Sequence, residues 1–559
     1  MADSTQGPHP HPGQTYGTPA AGQHAPTEWL GSGDPPREGT RAAPGEGEGP
    51  GRGGRRGIIL GAAVAVVVLL AGGAVFAFQA LSGGGPQPAE AVPSSAIGFL
   101  RVDLDPSADQ KMDALSLLRR VPQFEEETGI TSDTDDLRKR LFELALEDNE
   151  NCSGLDYTDD IEPWLGDRAG VAAIPAADGD EPDGLVVLQV SDEDAARENL
   201  PALSECGFAD MAPDAPGGVA FVGEYALLAE TQELADGFAA AAEKSPLSAD
   251  ADYTADREAL DGEGLASAWV DLEAVGESLS DSDDGRDYAE AAALSGLGDI
   301  SSVAMSLRTN SDSLEVAVAA DGVPAGFGDT AEAVQTLPDS TLFAHGFAGG
   351  SDLIEAGWAQ LSENLNRTEP GAVDRFTRDL ETSTGLQFPD DLQTLVGDDF
   401  ALAFDGAPLA LDPATGEPDL TAVRVGVRTS SDIVAVADLV TRVEGAVGQF
   451  YPLDLYDQEV DGGGSVIALD EAYANDLAAD GDLVESATYQ AAVADPQDAA
   501  AVTFVDFDRA LTLADQVSEA EGEPLEGDDR QALQVLRAFG LSVSVDGDYT
   551  TATARLVFD

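Results

Sequence analysis

Asp160-Ile161-Glu162-Pro163-Trp164-Leu165-Gly166-Asp167 recurs without a gap as Asp391-Leu392-Gln393-Thr394-Leu395-Val396-Gly397-Asp398. Three further blocks repeat in the same order around this pair. Val92-Pro93-Ser94-Ser95-Ala96-Ile97 matches Leu337-Pro338-Asp339-Ser340-Thr341-Leu342, and Leu185-Val186-Val187-Leu188-Gln189-Val190 matches Leu420-Thr421-Ala422-Val423-Arg424-Val425. Ala268-Trp269-Val270-Asp271-Leu272 matches Thr503-Phe504-Val505-Asp506-Phe507. Along the chain the offsets run 245, 231, 235 and 235, a drift that loop insertions produce, and colinear blocks mark a duplicated unit. Each half closes on a hairpin pattern, Val303 to Ala319 and Leu541 to Phe558, the second turning at Asp546-Gly547.

Within each half, strand patterns alternate with helical ones and the chain returns repeatedly to short apolar runs, which predicts an α+β fold. The expected architecture is two tandem, internally duplicated domains with largely antiparallel sheets backed by helices. Leu100, Val102 and Leu104 alternate with Arg101 and Asp103, which predicts a strand with the apolar set buried. Ile354, Trp358 and Leu361 share one helical face after Ser351-Asp352, which predicts a capped amphipathic helix. Gly166 and Gly397 are each expected to supply the left-handed residue that ends a helix, and Asp167 and Asp398 beside them to be structural turn residues.

Residues 58–81, Ile58 to Leu81, form 24 residues without a charge, roughly 36 Å of helix and enough to span a bilayer. Arg52, Arg55 and Arg56 precede the segment, which places the preceding tail on the cytoplasmic side and the rest outside. A signal peptide cleaved near Val75-Phe76-Ala77 is the alternative, but a 56-residue tail precedes residues 57–81 and a retained anchor is favoured. The expected organisation is a disordered Pro/Gly-rich tail over residues 1–56, a transmembrane helix over 57–81 and a linker over 82–91. One α+β repeat over 92–321, a linker over 322–336 and a second repeat over 337–559 follow.

Against 105 Asp and Glu stand 28 Lys and Arg, a net charge of −77. Such a chain lacks the cations that phosphate contacts require, so nucleic acid is excluded as a partner. A solvated acidic surface is expected, with room for loose divalent-cation or basic-partner binding. The two cysteines, Cys152 and Cys206, fall on the side where thiols oxidise, and a disulfide between them is expected. Closing that loop contributes on the order of 4 kcal/mol in the chain-entropy model.

The Val92-Pro93-Ser94-Ser95-Ala96 opening after an apolar span, the Ile161-x-x-Trp164-Leu165-Gly166-Asp167 element, the Asp-rich composition and the duplicated layout carry a resemblance. The chain resembles an uncharacterised actinobacterial family of single-span envelope proteins, catalogued as a domain of unknown function. The resemblance implies membrane anchorage and no established activity, so it transfers no site residue. The second copy departs at Leu395, where the first has Trp164.

His9, His11 and His24 lie in the tail, leaving His345 as the one imidazole beyond it. That leaves no material for paired catalytic triads or a His-rich metal centre. His345 aligns with Leu100 and is expected to be a partly buried strand residue. No nucleophile, zinc or phosphate-loop motif occurs, and neither Asp178-Gly179-Asp180 nor Asp281-Ser282-Asp283 continues as a calcium loop. No catalytic, cofactor-binding or metal residue is therefore assigned, and no cofactor is expected. The expected role is a membrane-anchored extracytoplasmic protein, a non-enzymatic binding or envelope-support module. The alternatives are a lipid- or hydrophobe-binding module and a hydrolase of envelope polymers working through two carboxylates.

Overall fold

A computed structural model describes residues 87–104, 116–117, 120, 138–139, 142, 152, 154–176, 182–207, 217–260, 262, 264–279, 300–322, 328–407, 424–448, 454–521, 530 and 533–559. The expected tail and anchor, residues 1–56 and 57–81, lie outside the described residues. Among the described residues no helix is long and apolar enough to cross a membrane.

The first half contributes β1 (Gly98–Asp103), β2 (Leu165–Ile174), β3 (Asp183–Val190), β4 (Gly218–Val222), β5 (Tyr225–Ala229), β6 (Ala266–Asp271), β7 (Ser302–Thr309) and β8 (Ser313–Asp321). The second contributes β9 (Thr341–Ala348), β10 (Asp399–Asp405), β11 (Val425–Thr429), β12 (Tyr456–Glu459), β13 (Ser465–Ala468), β14 (Ala501–Asp506), β15 (Leu536–Asp546) and β16 (Tyr549–Phe558). Helices of the first half are α1 (Glu193–Gly207), α2 (Gln232–Lys244), α3 (Ala251–Ala259) and α4 (Leu272–Leu279). Those that follow are α5 (Glu332–Gln335), α6 (Gly350–Thr368), α7 (Ala372–Thr384), α8 (Asp390–Val396), α9 (Ile433–Val447), α10 (Glu471–Ala478), α11 (Ala487–Ala492) and α12 (Phe507–Glu521).

All these strands join one antiparallel sheet of 16, where the sequence predicts a sheet for each half. The halves meet because β16 pairs with β8 from Tyr549 opposite Asp321 to Val557 opposite Ser313. Each half ends on its hairpin, and pairing the two last strands covers edges that would otherwise expose unpaired amides. Outward from this seam both halves follow one strand order, β8-β7-β6-β1-β2-β3-β5-β4 and β16-β15-β14-β9-β10-β11-β13-β12. Ala317 faces Ser306 and Thr553 faces Ser542, so the two occupy corresponding positions, and they also face each other. The seam therefore has a local two-fold through this pair, the geometry of a self-complementary interface.

Register tests the sequence alignment strand by strand. Phe99 lies opposite Trp269 and Ala172, and Ala344 lies opposite Phe504 and Ala403, which agrees with the three offsets read there. The β3 block does not agree. Ala172 faces Leu185 while Ala403 faces Gly426, so Leu185 corresponds to Gly426 and not to Leu420. The slip is an even number of residues, which leaves an alternating apolar pattern unchanged and so is invisible to periodicity.

The sheet is covered on both faces. Leu185 and Val187 of β3 join a cluster with Phe238 of α2 and Tyr253 of α3, while Leu188 joins another with Leu200 and Leu203 of α1. Two-sided burial overturns the reading of β1. Arg101 and Asp103 are its buried residues, each 1% exposed, whereas Leu100 and Val102 are half-buried. Arg101 Nη2 donates to Asp103 Oδ2 at 2.7 Å and Arg168 Nε donates to Asp103 Oδ1 at 2.9 Å, so the charges satisfy one another. Parts of both expected linkers are structural as well. Pro88–Glu90 forms a 3-10 turn with Ala89 buried, and α5 inserts Val334 into the second-half core. A Cβ on Gly346 would stand 2.9 Å from Val334 Cβ, so the glycine admits that close packing.

Helix α6 forms as expected but starts at Gly350 after Gly349, with no side-chain cap, and Leu361 lies exposed. The Asp398 carbonyl accepts from Gly349 N at 2.6 Å instead. The closing hairpin turns at Gly547, φ 62°, one position later than predicted, with Asp546 opposite Tyr549.

Asp256, fully buried on α3, accepts from Trp269 Nε1 at 2.6 Å and from Tyr549 Oη at 2.7 Å. Tyr549 belongs to the other half, so this bond stitches the seam. Burial and the neighbouring Asp256 push the Tyr549 phenol up, keeping it a donor. Tyr549→Phe is expected to cost about 1.5–3 kcal/mol, the worth of a hydrogen bond to a charged group. Urea unfolding checks it, and an unchanged midpoint would refute the role.

Candidate functional site

On the sheet face opposite α10 and α11, the second half forms a partly open cavity of about 350 Å3. Leu402, Val427 and Ile467 form its floor, and Leu392 and Leu395 of α8 face Leu439, Val440 and Val443 of α9 across it. Leu386 and Phe388, after α7, complete the wall. Nearly all of this surface is apolar.

The first half shows what the space is. At the offset of 231 shared by β2 and β10, the opening match extends upstream, Gly154-Leu155-Asp156-Tyr157-Thr158-Asp159 against Gly385-Leu386-Gln387-Phe388-Pro389-Asp390. Helices α1 and α9 correspond through Ser191-Asp192 and Ser431-Asp432. The two aspartates cap alike, Asp192 accepting from Ala195 N at 3.0 Å and Asp432 from Val434 N at 2.9 Å. Under these equivalences Leu386, Phe388, Leu392, Leu395, Val440 and Val443 correspond to Leu155, Tyr157, Ile161, Trp164, Leu200 and Leu203. All six first-half residues belong to one apolar cluster. Trp164 fills its centre, 0% exposed, with Nε1 donating to the Asp160 carbonyl at 2.6 Å. An indole has become a leucine and two leucines have become valines, so the position that is solid core in the first half is open in the second.

Backbone follows side chain. Tyr157–Ile161 is a π-turn, leaving the Asp160 carbonyl to the indole, whereas Asp391, the counterpart of Asp160, lies in the α-helix α8. Gly397 ends α8 with a positive φ of 64° but ψ −161°, outside the left-handed helical region that the sequence predicts, and Gly166 lies in β2. A Cβ there would meet Gln189 Cγ at 2.8 Å, so close strand packing, not handedness, calls for that glycine.

Among the described residues Asp391 is the one ionisable side chain in the cavity wall. Its Oδ2 accepts from Gln387 N at 2.7 Å, as Asp160 Oδ2 accepts from Asp156 N at 2.8 Å. Arg442 of α9 donates to Asp391 Oδ1 and also stands 3.5 Å from Asp438. Both oxygens are thus occupied in bracing a turn and tying α8 to α9, which is work for a structural carboxylate.

His345 is half-buried on β9, with Nδ1 3.0 Å from Thr503 Oγ1, and burial pushes its pKa down. Asp399 was missed in the sequence among so many carboxylates. Burial raises it to about 6, ahead of the opposing bond from Ala333 N at 2.7 Å, and its Oδ1 has no hydrogen-bond partner. Asp398 is exposed beside its turn, whereas Asp167, expected as a turn residue, is exposed within β2. Among the described residues no group of three His, Cys, Asp or Glu side chains could hold a metal ion; Asp281-Ser282-Asp283 lies outside them. Cys152 is buried and disulfide-bonded. Cys206, the other cysteine, stands in α1 with its side chain outside the described residues.

Sheet and cavity together define an α+β protein built twice on one strand order, with the position that Trp164 fills in one half open in the other. The chain belongs to the family described as protein of unknown function (DUF3352), whose model matches residues 59–420. No curated protein and no solved structure matches it. The matched stretch includes both Trp164 and Leu395.

Proposed function

We propose that this protein is a non-enzymatic binding module, fixed to a membrane by residues 57–81 with its duplicated α+β part outside, and that the second-half cavity holds an apolar ligand. The single observation that carries the ligand is the hollowing of a site whose first-half counterpart is closed by Trp164. A packed core is the low-energy state for such a position, and a dry cavity forfeits its dispersion contacts. An engineered apolar cavity of about 150 Å3 holds one benzene, so this one suits a hydrocarbon group of roughly a dozen carbons. With Asp391 already engaged, the buried part of the ligand is uncharged. The arginines before the 57–81 segment and its uncharged length support the topology.

Leu395→Trp tests the reading. Restoring the indole is expected to weaken binding of the neutral probe N-phenyl-1-naphthylamine at least tenfold, with dodecanol as competitor. Filling the cavity should also raise the unfolding free energy by about 0.5–2 kcal/mol. Val440→Leu with Val443→Leu, restoring the first-half residues at the other wall, should act in the same direction. Leu361→Trp, on an exposed position of α6, should leave binding unchanged. Probe binding of wild-type strength in both filled variants would sink the proposal.

A further inference from the structure

Resting on that reading, we infer that the cavity is loaded by separation of α9 from α7 and α8, and that the first half is the same device locked by a disulfide. The two halves also differ at a pair of cysteine positions. Cys152 corresponds to Ser383 at the offset of α8, and Cys206 corresponds to Ala446 at the offset of α9. With Cys152 disulfide-bonded and Cys206 the chain's other cysteine, a covalent link joins the segment before the π-turn to α1. In the first half, therefore, the two walls around Trp164 are stapled.

In the second half the same two walls carry Ser383, in the last turn of α7, and Ala446, in the last turn of α9. No covalent bond ties them. The Ser383 hydroxyl is exposed and donates back into its own helix, to the Asp379 carbonyl at 2.8 Å. Helix α7 packs on α9, and the cavity lies directly behind, between Leu386 and Phe388 on one side and Leu439, Val440 and Val443 on the other. What holds the walls is polar and reversible, the Arg442 bond to Asp391. Arg442 Nε has no hydrogen-bond partner, and Ala202 stands at the corresponding place in the first half. The hollow half thus has a breakable latch where the solid half has a covalent one. The cavity is partly open to solvent, and separating these walls widens its mouth for a ligand of the proposed size.

Ser383→Cys with Ala446→Cys recreates the staple in the full chain. After oxidation, with the new cross-link verified by mass spectrometry, association and release of N-phenyl-1-naphthylamine are expected to slow at least tenfold. Dithiothreitol should restore the rates, while the wild-type rates should not change with it. Arg442→Met, which removes the latch, should speed release several-fold without abolishing binding. A cross-linked protein that exchanges probe at the wild-type rate overturns the gate, as does failure of the two thiols to cross-link, since they would then not occupy corresponding positions. Loss of binding in Leu395→Trp together with unaltered exchange in the cross-linked protein leaves the cavity standing and removes the gate alone. Unaltered binding in both removes cavity and gate together.

Discussion

Replacing Asp103 by alanine is expected to destabilise the protein by about 3–5 kcal/mol, the range for breaking a buried ion pair from one side. Arg101 and Arg168 are 1% and 4% exposed, and both donate to this carboxylate. Its loss leaves two guanidiniums close together in a low-dielectric site with their shared counter-ion gone. The cost comes from the charges left behind, not from any intrinsic strength of the pair. Replacing all three, as Arg101→Met, Asp103→Leu and Arg168→Met, is accordingly expected to recover most of the loss. Urea unfolding of both proteins decides it. A single variant as stable as the wild type, or a triple variant no better than the single, would contradict the reading. The second half supports the same logic, since Gly346 and Ala348 stand where Arg101 and Asp103 do and α5 packs there directly.

The second large effect is a pH dependence centred on Asp399. Its carboxyl is raised from 3.8 to about 6, so the folded chain binds this proton more tightly than the unfolded one. Stability from this group is therefore greatest in acid and falls as pH rises from about 4 through 6. The shift corresponds to about 3 kcal/mol between the two limits. Between pH 4 and pH 7, Asp399→Asn should gain about that much on the wild type, whatever its absolute stability. Comparing the two at each pH cancels the repulsion among the many other carboxylates. Parallel stability curves would refute it. Asp399 accepts from Ala333 N in the first turn of α5, a bond that favours the ionised form and so limits the rise that burial causes.

Much of the fold was legible in advance because its signals are local and repeated. Four colinear blocks located the two halves, and the strand order is the same in both. The register of β11 was not legible, since the loop before it is longer than the alignment allowed and an even slip preserves alternation. Burial of Arg101 and Asp103 was not legible either, because charge in a strand reads as solvent exposure until a second cation is known to lie across the ladder. Arg168 is far from them in sequence and adjacent only through the pairing of β1 with β2.

The candidate site divides in the same way. Leu395 opposite Trp164 was visible as a difference between copies, but by itself it is a substitution of one apolar residue for another. Upstream, the continuation of the match through Leu386 and Phe388 was a signal that could have been found by extending the block. Val440 and Val443 could not be joined to it, because α8 and α9 converge only when β10, β11 and β13 stand side by side.

By itself the sequence determined composition, charge, the duplicated order of elements and the pairing of Trp164 with Leu395, all of which are properties of neighbours along a chain or of a chain compared with itself. Only the tertiary structure decided that two hairpins fuse two halves into one sheet, that three charges close over one another inside it, and that small changes in separate elements add up to an open space. Volume left between packed elements belongs to no single segment, and so it exists only once the segments have met.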